Sequence, residues 1–250
     1  MGTSTVLTSS LSVNHSGLNS YICKDRKYRM NSDATSDAIR SNVEHWKQLQ
    51  DDDYFERHPC YKGLADLGDD TAAAIAPLVT LQPDMKVVVI GCGFGRESAH
   101  LAPHVGHIYG IDVNERILDK AVNYLSERSV QNFTPVLADH YKTQIPAGID
   151  FVFSIVVMQH LTRDLVRDYF RSLGEKLAPD GVVLVQFLEE LFEGVDRADA
   201  ELRPYEPSIS WTVAQIVQLA SDTKLRFVEV RSYLVTPTAL WHWARLAPAA

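Results

Sequence analysis

The sequence predicts an α/β fold, in which helices cover both faces of a seven-stranded sheet that is mostly parallel with an antiparallel last strand. Three observations support this prediction. A run of β-branched residues at 87–90 is typical of a strand buried on both faces. Strand-like and helix-like segments then alternate from 83 to 187. Two further strand-like segments, 225–230 and 240–246, are joined by a short loop, which permits only antiparallel pairing.

The composition fits one domain with a small accessory segment. The chain has 250 residues, of which 46% are hydrophobic, enough to bury one full core. Its net charge of −8 argues against a nucleic-acid partner, because phosphate binding needs a basic face. The longest apolar run, 151–158, is too short to cross a bilayer, and an odd set of three cysteines fits a reducing compartment. We therefore expect a cytoplasmic protein that acts away from membranes.

The chain divides into three predicted segments. Residues 1–31 are rich in Ser, Thr and Asn and predict a flexible tail. Residues 32–82 predict a helical segment, and residues 83–250 form the main domain. The helical segment carries apolar side chains that fall on one helix face: Ile39, Val43, Trp46 and Leu49.

The first strand ends in a glycine-rich turn with the spacing G-x-G-x-G. Glycines at Gly91, Gly93 and Gly95 permit backbone conformations closed to other residues and let a ligand lie against the main chain. Residues 96–101 predict a helix whose free N–H groups point toward that ligand. A dinucleotide fingerprint would need its third glycine at position 96, where Arg96 stands. The pattern predicts a nucleotide-type binding turn.

Two later strands end in carboxylates. The strand predicted at 107–112 ends in Asp112, which can accept both ribose hydroxyls of an adenosine. The alternative is a helix cap, although Asn114 can fill that role alone. The strand predicted at 133–139 ends in Asp139, which is either a cofactor contact or part of a simple turn. A ribose contact does not separate S-adenosylmethionine from NAD, since both carry a ribose.

A histidine follows the fourth predicted strand. Gln159 and His160 come after the strand at 150–155 and directly before a capped helix. Ligands of open α/β sheets bind at the carboxyl ends of the strands, so we expect His160 near the reacting atoms. A histidine is suited to act as a general base near neutral pH. The alternative role is a hydrogen bond to the cofactor or to the helix start, and His140 and Tyr141 are the next candidates for the base.

Together these motifs resemble those of the class I S-adenosylmethionine-dependent methyltransferases of the small-molecule type, over residues 83–246. The Leu-x-Pro-x-Gly pattern at 177–181 adds to the likeness. The resemblance implies a Rossmann-like fold, S-adenosyl-L-methionine as cofactor, and methyl transfer to a hydroxyl or amine of a small polar metabolite. In that family the acid at Asp139 contacts the adenine amino group. The implied cofactor-binding residues are Gly91, Cys92, Gly93, Gly95, Asp112, Val113, Asp139, His140 and Ser154.

The resemblance also implies a lid, because in this family the segment before the first strand commonly folds over the cofactor. Residues 32–82 are the predicted lid, although the part rich in acids and aromatics can equally be a solvated loop. The acidic segment 189–207 is either a substrate loop or plain solvated surface. The candidate substrate-binding residues are Trp46, Tyr54, Tyr61 and Tyr141.

One departure from the family keeps other functions open. Val89 stands where the family usually carries an acid just before the glycine turn. The alternatives are an NAD(P)-dependent oxidoreductase and a non-catalytic partner subunit that binds the cofactor.

We predict no metal at the histidines 100, 104 and 107, because Pro103 interrupts their helix. A divalent ion held by the acidic segment with Asp139 or His140 stays open.

Overall fold

The structure is a computed structural model. It describes residues 28–29, 43–44, 46–47, 71–191, 201–202, 207–236 and 239–249. These residues all belong to the larger of two compact units in the chain, which comprises residues 26–51 and 69–250. The candidate residues Tyr54 and Tyr61, and most of the acidic segment 189–207, lie outside the described residues.

The described strands are β1 (Tyr28–Arg29), β2 (Lys86–Ile90), β3 (His107–Asp112), β4 (Phe133–Leu137), β5 (Ile149–Ser154), β6 (Leu177–Glu190), β7 (Glu201–Leu202), β8 (Pro207–Ser208), β9 (Leu225–Thr236) and β10 (Ala239–Pro248). Seven of them form one sheet, in the order β4-β3-β2-β5-β6-β10-β9. Strands β2 to β6 run parallel to one another, and β10 runs antiparallel to both of its neighbours. The predicted sheet is confirmed. A separate three-stranded sheet has the order β1-β7-β8.

The three longest helices of the described chain begin at polar side-chain caps. Asn114 accepts hydrogen bonds from the N–H groups of Arg116 and Ile117, and Thr212 forms a reciprocal capping box with Gln215. Short 3-10 helices follow three of the elements, at Ala102–His104, Ala138–His140 and Met158–His160. The α-helices are α1 (Thr71–Ile75), α2 (Arg96–Leu101), α3 (Glu115–Glu127), α4 (Tyr141–Gln144), α5 (Arg163–Gly174) and α6 (Val213–Asp222).

Strand β2 is buried on both faces, as its sequence predicts. Val88 and Ile90 pack into a core with side chains of α5 and α6. Val87 and Val89 point to the other face and pack with side chains of α1, α2 and α3. Helices therefore cover both faces of the sheet. No helix in the described part of the chain is long and apolar enough to span a bilayer.

Strand β6 begins earlier and ends later than predicted. The predicted turn at residues 179–181 lies inside β6 as an irregularity, because Ile149 pairs with Leu177 while Phe151 pairs with Val182. At the other end, Glu189 and Glu190 belong to the strand and not to an acidic loop, because β10 pairs with them and covers them. His242 Nε2 lies 2.8 Å from Glu189 Oε2, so this buried carboxylate has a polar partner.

Strand β4 ends earlier than predicted. It stops at Leu137, and Asp139 lies in the 3-10 helix Ala138–His140 that follows. Asp139 therefore projects from the first turn beyond the sheet edge. The carboxyl ends of β2, β3, β4 and β5 all meet at this edge, since these strands are parallel. The candidate residues that follow these strands consequently share one side of the molecule.

Candidate active site

The glycine turn lies between β2 and α2. Gly91 has φ 66° and Gly93 has φ 52°, both in the left-handed region. A Cβ atom at Gly91 would collide with the γ-carbons of Val157, whereas a Cβ at Gly93 would meet nothing within 4 Å. The turn is therefore tightly packed on the Cβ side of Gly91 and open on the Cβ side of Gly93. The open side is where a ligand can lie against the backbone.

Asp112 is fixed against this turn. Its Oδ2 accepts a hydrogen bond from the Gly93 N–H at 3.0 Å, and its Oδ1 accepts one from the Asn114 N–H at 3.1 Å. Burial raises the pKa of Asp112, an effect that the backbone N–H groups of Asn114, Gly93 and Val113 oppose. The side chain of Asn114 caps α3, so Asp112 is not needed as a cap. Each carboxylate oxygen keeps a further lone pair for a ligand hydroxyl.

Asp139 and His140 lie next to Asp112 at the sheet edge. Strand β4 pairs with β3 so that Leu137 is opposite Asp112, which puts Asp139 two residues beyond it. The side chains of Asp139 and His140 are both exposed. The Thr143 hydroxyl donates to the His140 carbonyl at 3.0 Å and stabilises the start of α4. The predicted adenine-side residues are thus placed where a ligand bound at the glycine turn can reach them.

His160 ends the 3-10 helix that follows β5, and Trp46 lies beside it. His160 is 9% exposed, and the two ring centroids are 6.3 Å apart. The Asn114 side-chain amide donates to the Trp46 carbonyl at 2.7 Å. The cap of α3 therefore ties the helical residues around Trp46 to the carboxyl edge of the sheet. The structure brings together the predicted base and one predicted substrate residue, which are distant in sequence.

The loop that carries His160 touches the glycine turn directly. Strands β2 and β5 are neighbours, and Val157 in the loop after β5 packs against Gly91. Val156 has φ 58°, and its N–H donates to Gln186 Oε1 on β6 at 3.2 Å. Val156, Val157 and Gln186 are not among the predicted site residues. A glutamine within the apolar run 182–187 is a signal for the last of these, whereas the sequence holds no signal for the conformation of Val156.

Two predicted cofactor residues turn their side chains away from the open side. The Cys92 thiol lies in the core, and burial raises the pKa of this thiol well above its ordinary value. Ser154 is fully buried, and its hydroxyl donates to the Ile90 carbonyl at 2.9 Å. This bond holds the end of β2 just before Gly91. Cys92 and Ser154 therefore support the glycine turn from the core side, and a contact of either residue with a cofactor stays a prediction.

Tyr141 is a core residue, contrary to the prediction of a substrate contact. Its ring is 5% exposed and packs against Tyr169, with ring centroids 4.6 Å apart. Its hydroxyl donates to Asp168 Oδ2 at 2.9 Å, and burial raises the pKa of Tyr141 beyond its usual range. The side chain joins α4 to α5. The prediction failed because the residue after His140 starts a helix whose first side chain points into the sheet.

Two of the three histidines near α2 have separate hydroxyl partners. His100 Nδ1 lies 3.1 Å from the Thr71 hydroxyl, and His107 Nε2 lies 2.9 Å from the Thr134 hydroxyl. His104 is exposed. Within the described ranges no group of three or more His, Cys, Asp or Glu side chains is arranged to hold a metal ion.

The sequence matches a known family and two characterised relatives. Residues 87–181 match the family model of a methyltransferase domain. Thiocyanate methyltransferase 1 of Brassica oleracea is 28% identical over 100 residues, 40% of this chain and 44% of the relative. N-terminal Xaa-Pro-Lys N-methyltransferase 1 of Danio rerio is 31% identical over 114 residues, 44% of this chain and 50% of the relative. The chain thus matches about half the length of these relatives.

The fold matches solved methyltransferase structures. An S-adenosylmethionine-dependent methyltransferase of Leishmania major has a TM-score of 0.62 at 12% identity, covering 83% of this chain and 82% of that one. A Haemonchus contortus phosphoethanolamine N-methyltransferase, solved with S-adenosylhomocysteine, has a TM-score of 0.57 at 15% identity, covering 72% and 52%. At these identities the likeness shows the fold.

Proposed function

We propose that the chain transfers a methyl group from S-adenosylmethionine to an amine or hydroxyl of a small polar acceptor, because residues 87–181 match the family model of a methyltransferase domain. One observation carries the proposal: the loop that bears His160 packs directly on the glycine turn, through Val157 and Gly91. Donor site and candidate base therefore adjoin at the ends of neighbouring strands.

The cofactor is S-adenosylmethionine, which supplies an electrophilic methyl group on its sulfonium. Asp112 accepts the ribose hydroxyls, because its carboxylate is already oriented by the Gly93 and Asn114 N–H groups. Asp139 lies one strand further along and accepts from the adenine amino group. The backbone at Gly93 lies against the ligand, since a side chain there would fill the open space.

Methyl transfer is an in-line displacement, so most of the rate enhancement comes from holding donor and acceptor in attack geometry. His160 accepts the proton that an ammonium or hydroxyl acceptor must lose, as a general base. The Trp46 ring beside His160 offers an aromatic face to a cationic acceptor. Together the two side chains orient the acceptor and prepare its lone pair.

The negative charge of the chain suits an amine better than an anion as the methyl acceptor. The chain carries a net charge of −8, and Glu190 is buried at the carboxyl end of β6, the same edge of the sheet as His160. This charge balance repels anions and attracts ammonium groups. The Danio rerio relative is named as an N-methyltransferase of N-terminal Xaa-Pro-Lys, and the Brassica oleracea relative is named as a thiocyanate methyltransferase. An amine and an anion are therefore the two classes of acceptor to be compared.

Isothermal titration with S-adenosylmethionine, S-adenosylhomocysteine and NAD tests the cofactor, with Asp112→Ala as the control variant. We expect binding of the first two ligands and its loss in the variant. Binding of NAD alone would overturn the proposal in favour of an oxidoreductase. Transfer of radiolabelled methyl to small amines, alcohols, Xaa-Pro-Lys peptides and thiocyanate then tests the acceptor. Cofactor binding without transfer to any of them would favour a non-catalytic partner subunit.

A further inference from the structure

Val156 has a backbone conformation that its side chain disfavours. Its φ of 58° lies in the left-handed region, where a β-branched residue is a genuine outlier. The other non-glycine residues of the described chain with positive φ are Ser129 and Lys224. Both are exposed and unbranched, and both lie just after the end of a helix. Val156 instead follows β5 at the candidate active site, where such outliers commonly have a function.

Gln186 holds Val156 in this conformation. The Val156 N–H donates to Gln186 Oε1 at 3.2 Å, and Gln186 Nε2 donates to the Tyr233 hydroxyl at 3.3 Å. Gln186 is 2% exposed and lies on β6, the strand next to β5. Because Tyr233 uses the amide nitrogen, the amide oxygen faces Val156. The orientation of the Gln186 side chain is therefore fixed from both ends.

The conformation of Val156 sets the positions of Val157 and His160, which follow it in the chain. Val157 comes next and packs against Gly91 of the glycine turn. The Val157 carbonyl accepts the His160 N–H at 2.9 Å, which closes the 3-10 helix. If Val156 relaxed to a negative φ, the chain would leave β5 in another direction. Both the packing on Gly91 and the position of His160 would then change.

We propose that Gln186 is a positioning residue for methyl transfer, which holds Val156 at positive φ so that His160 faces the cofactor turn. This inference rests on the proposed function, because it assigns Gln186 a role in that reaction. Gln186 acts from β6 through the backbone of the loop and needs no contact with either substrate. The chemistry of its side chain explains the choice of residue, since one amide supplies both an acceptor for Val156 and a donor for Tyr233.

Three variants separate positioning from simple packing. Gln186→Leu removes the acceptor, and we expect kcat to fall by about 10- to 100-fold, the usual cost of a small misplacement. The affinity for S-adenosylhomocysteine should stay within about twofold, because the ribose contacts are untouched. Gln186→Glu keeps an acceptor for both the Val156 N–H and the Tyr233 hydroxyl and should retain kcat. Tyr233→Phe removes the second anchor of the Gln186 amide but leaves the Val156 acceptor in place, so we expect kcat to fall less than in Gln186→Leu.

A double variant tests the route of the effect. Glycine adopts positive φ without penalty, so Val156→Gly should restore most of the kcat that Gln186→Leu loses. Retained kcat in Gln186→Leu would overturn the proposal. A loss of kcat that Val156→Gly does not restore would overturn it as well, since the glutamine would then act by another route.

Amide hydrogen exchange without ligand keeps this inference separate from the proposed function. In the wild-type chain the Val156 amide should exchange slowly, and in Gln186→Leu the segment 155–160 should exchange faster while β3 is unchanged. Fast exchange of Val156 in the wild type would overturn the positioning role even if no variant folds. A wild-type chain with slow exchange at Val156 but no binding of S-adenosylmethionine would overturn the proposed function alone.

Discussion

The two halves of the candidate site are built in different ways. The cofactor half consists of the glycine turn and Asp112, in which Gly93 lies 19 residues before Asp112 and backbone N–H groups make the main contacts. The acceptor half consists of His160, Trp46 and the loop after β5, and it depends on partners from α3 and β6. The cofactor half is shaped by glycines, which adopt positive φ readily. The acceptor half is shaped by Val156, a β-branched residue that disfavours positive φ. Local sequence determines the first half, and tertiary contacts determine the second.

The largest expected effect separates the halves by function. His160→Ala should lower turnover by about 100- to 10,000-fold, because a general base is lost. Binding of S-adenosylhomocysteine should be nearly unchanged, because the histidine belongs to the acceptor half. Methyl-transfer kinetics and titration of the same preparation measure the two quantities. Equal losses in turnover and cofactor affinity would contradict the base assignment and the separation of the halves.

The boundary between the halves should be sensitive to added volume at Gly91. Gly91→Ala forces a Cβ against Val157 at a positive φ, and we expect the free energy of unfolding to fall by roughly 2–4 kcal/mol. Gly93→Ala is the control, since it shares the positive φ but has open space, and it should cost about 1–2 kcal/mol. Chemical denaturation without ligand measures both. Equal losses would show that Val157 does not press on the turn.

Cofactor affinity should depend on pH through Asp112. The ribose hydroxyls donate to the ionised carboxylate, and burial raises the pKa of Asp112 above its ordinary value of 3.8. Affinity for S-adenosylhomocysteine should therefore be full at neutral pH and fall by about 10- to 100-fold as the pH drops through that raised pKa. Titrations across the acid range measure this, and Asp112→Asn, which keeps a side-chain carbonyl to accept from the ribose but cannot ionise, should show no such step. A step at the same pH in the variant would assign it to another group.

The smallest expected effect lies outside both halves. Burial raises the pKa of Asp168, but the hydrogen bonds from Lys142 and Tyr141 outweigh burial and hold this pKa below 3.8. The bonds thus stabilise the fold above pH 3.8, and this contribution disappears as the pH falls through the lowered value. Asp168→Asn should cost less than about 1 kcal/mol at neutral pH, because the pair is partly exposed.

Thermal melts at neutral and acid pH check the Asp168 prediction, and turnover supplies a second control. Tyr141→Phe and Asp168→Asn should both leave kcat unchanged, because Tyr141 is buried in the core. A marked loss of kcat in either variant would return Tyr141 to the acceptor half.

The fold was largely predictable because its signals are local. The alternation of buried strands and amphipathic helices gave the bounds of β3 and α2 to the residue. The limits of β6 were missed because its pairing with β10, distant in the chain, buries Glu189 and Glu190. No local pattern reports such a pairing, and acidic residues favour loops when read alone.

The candidate site was predictable in the cofactor half and only partly in the acceptor half. Asp112 and the glycines are marked by residue type and spacing, which is why their positions agree with the prediction. His160 could be placed at the sheet edge because it follows a strand, and its role as a base stays a prediction. The left-handed conformation of Val156 could not be predicted, because the partner of its N–H is Gln186 on another strand. Tyr141 was misassigned because sequence proximity to His140 does not tell which way a helix turns its first side chain.

The position of β10 between β6 and β9 bears on how the chain is made. Strand β9, 12 residues long, leaves the ribosome before the strand that joins it to the sheet. Until β10 has also left the ribosome and paired with both neighbours, β6 and β9 each present an open edge, and such edges can pair with another nascent chain. The sheet is therefore most prone to aggregate between the release of β9 and the pairing of β10.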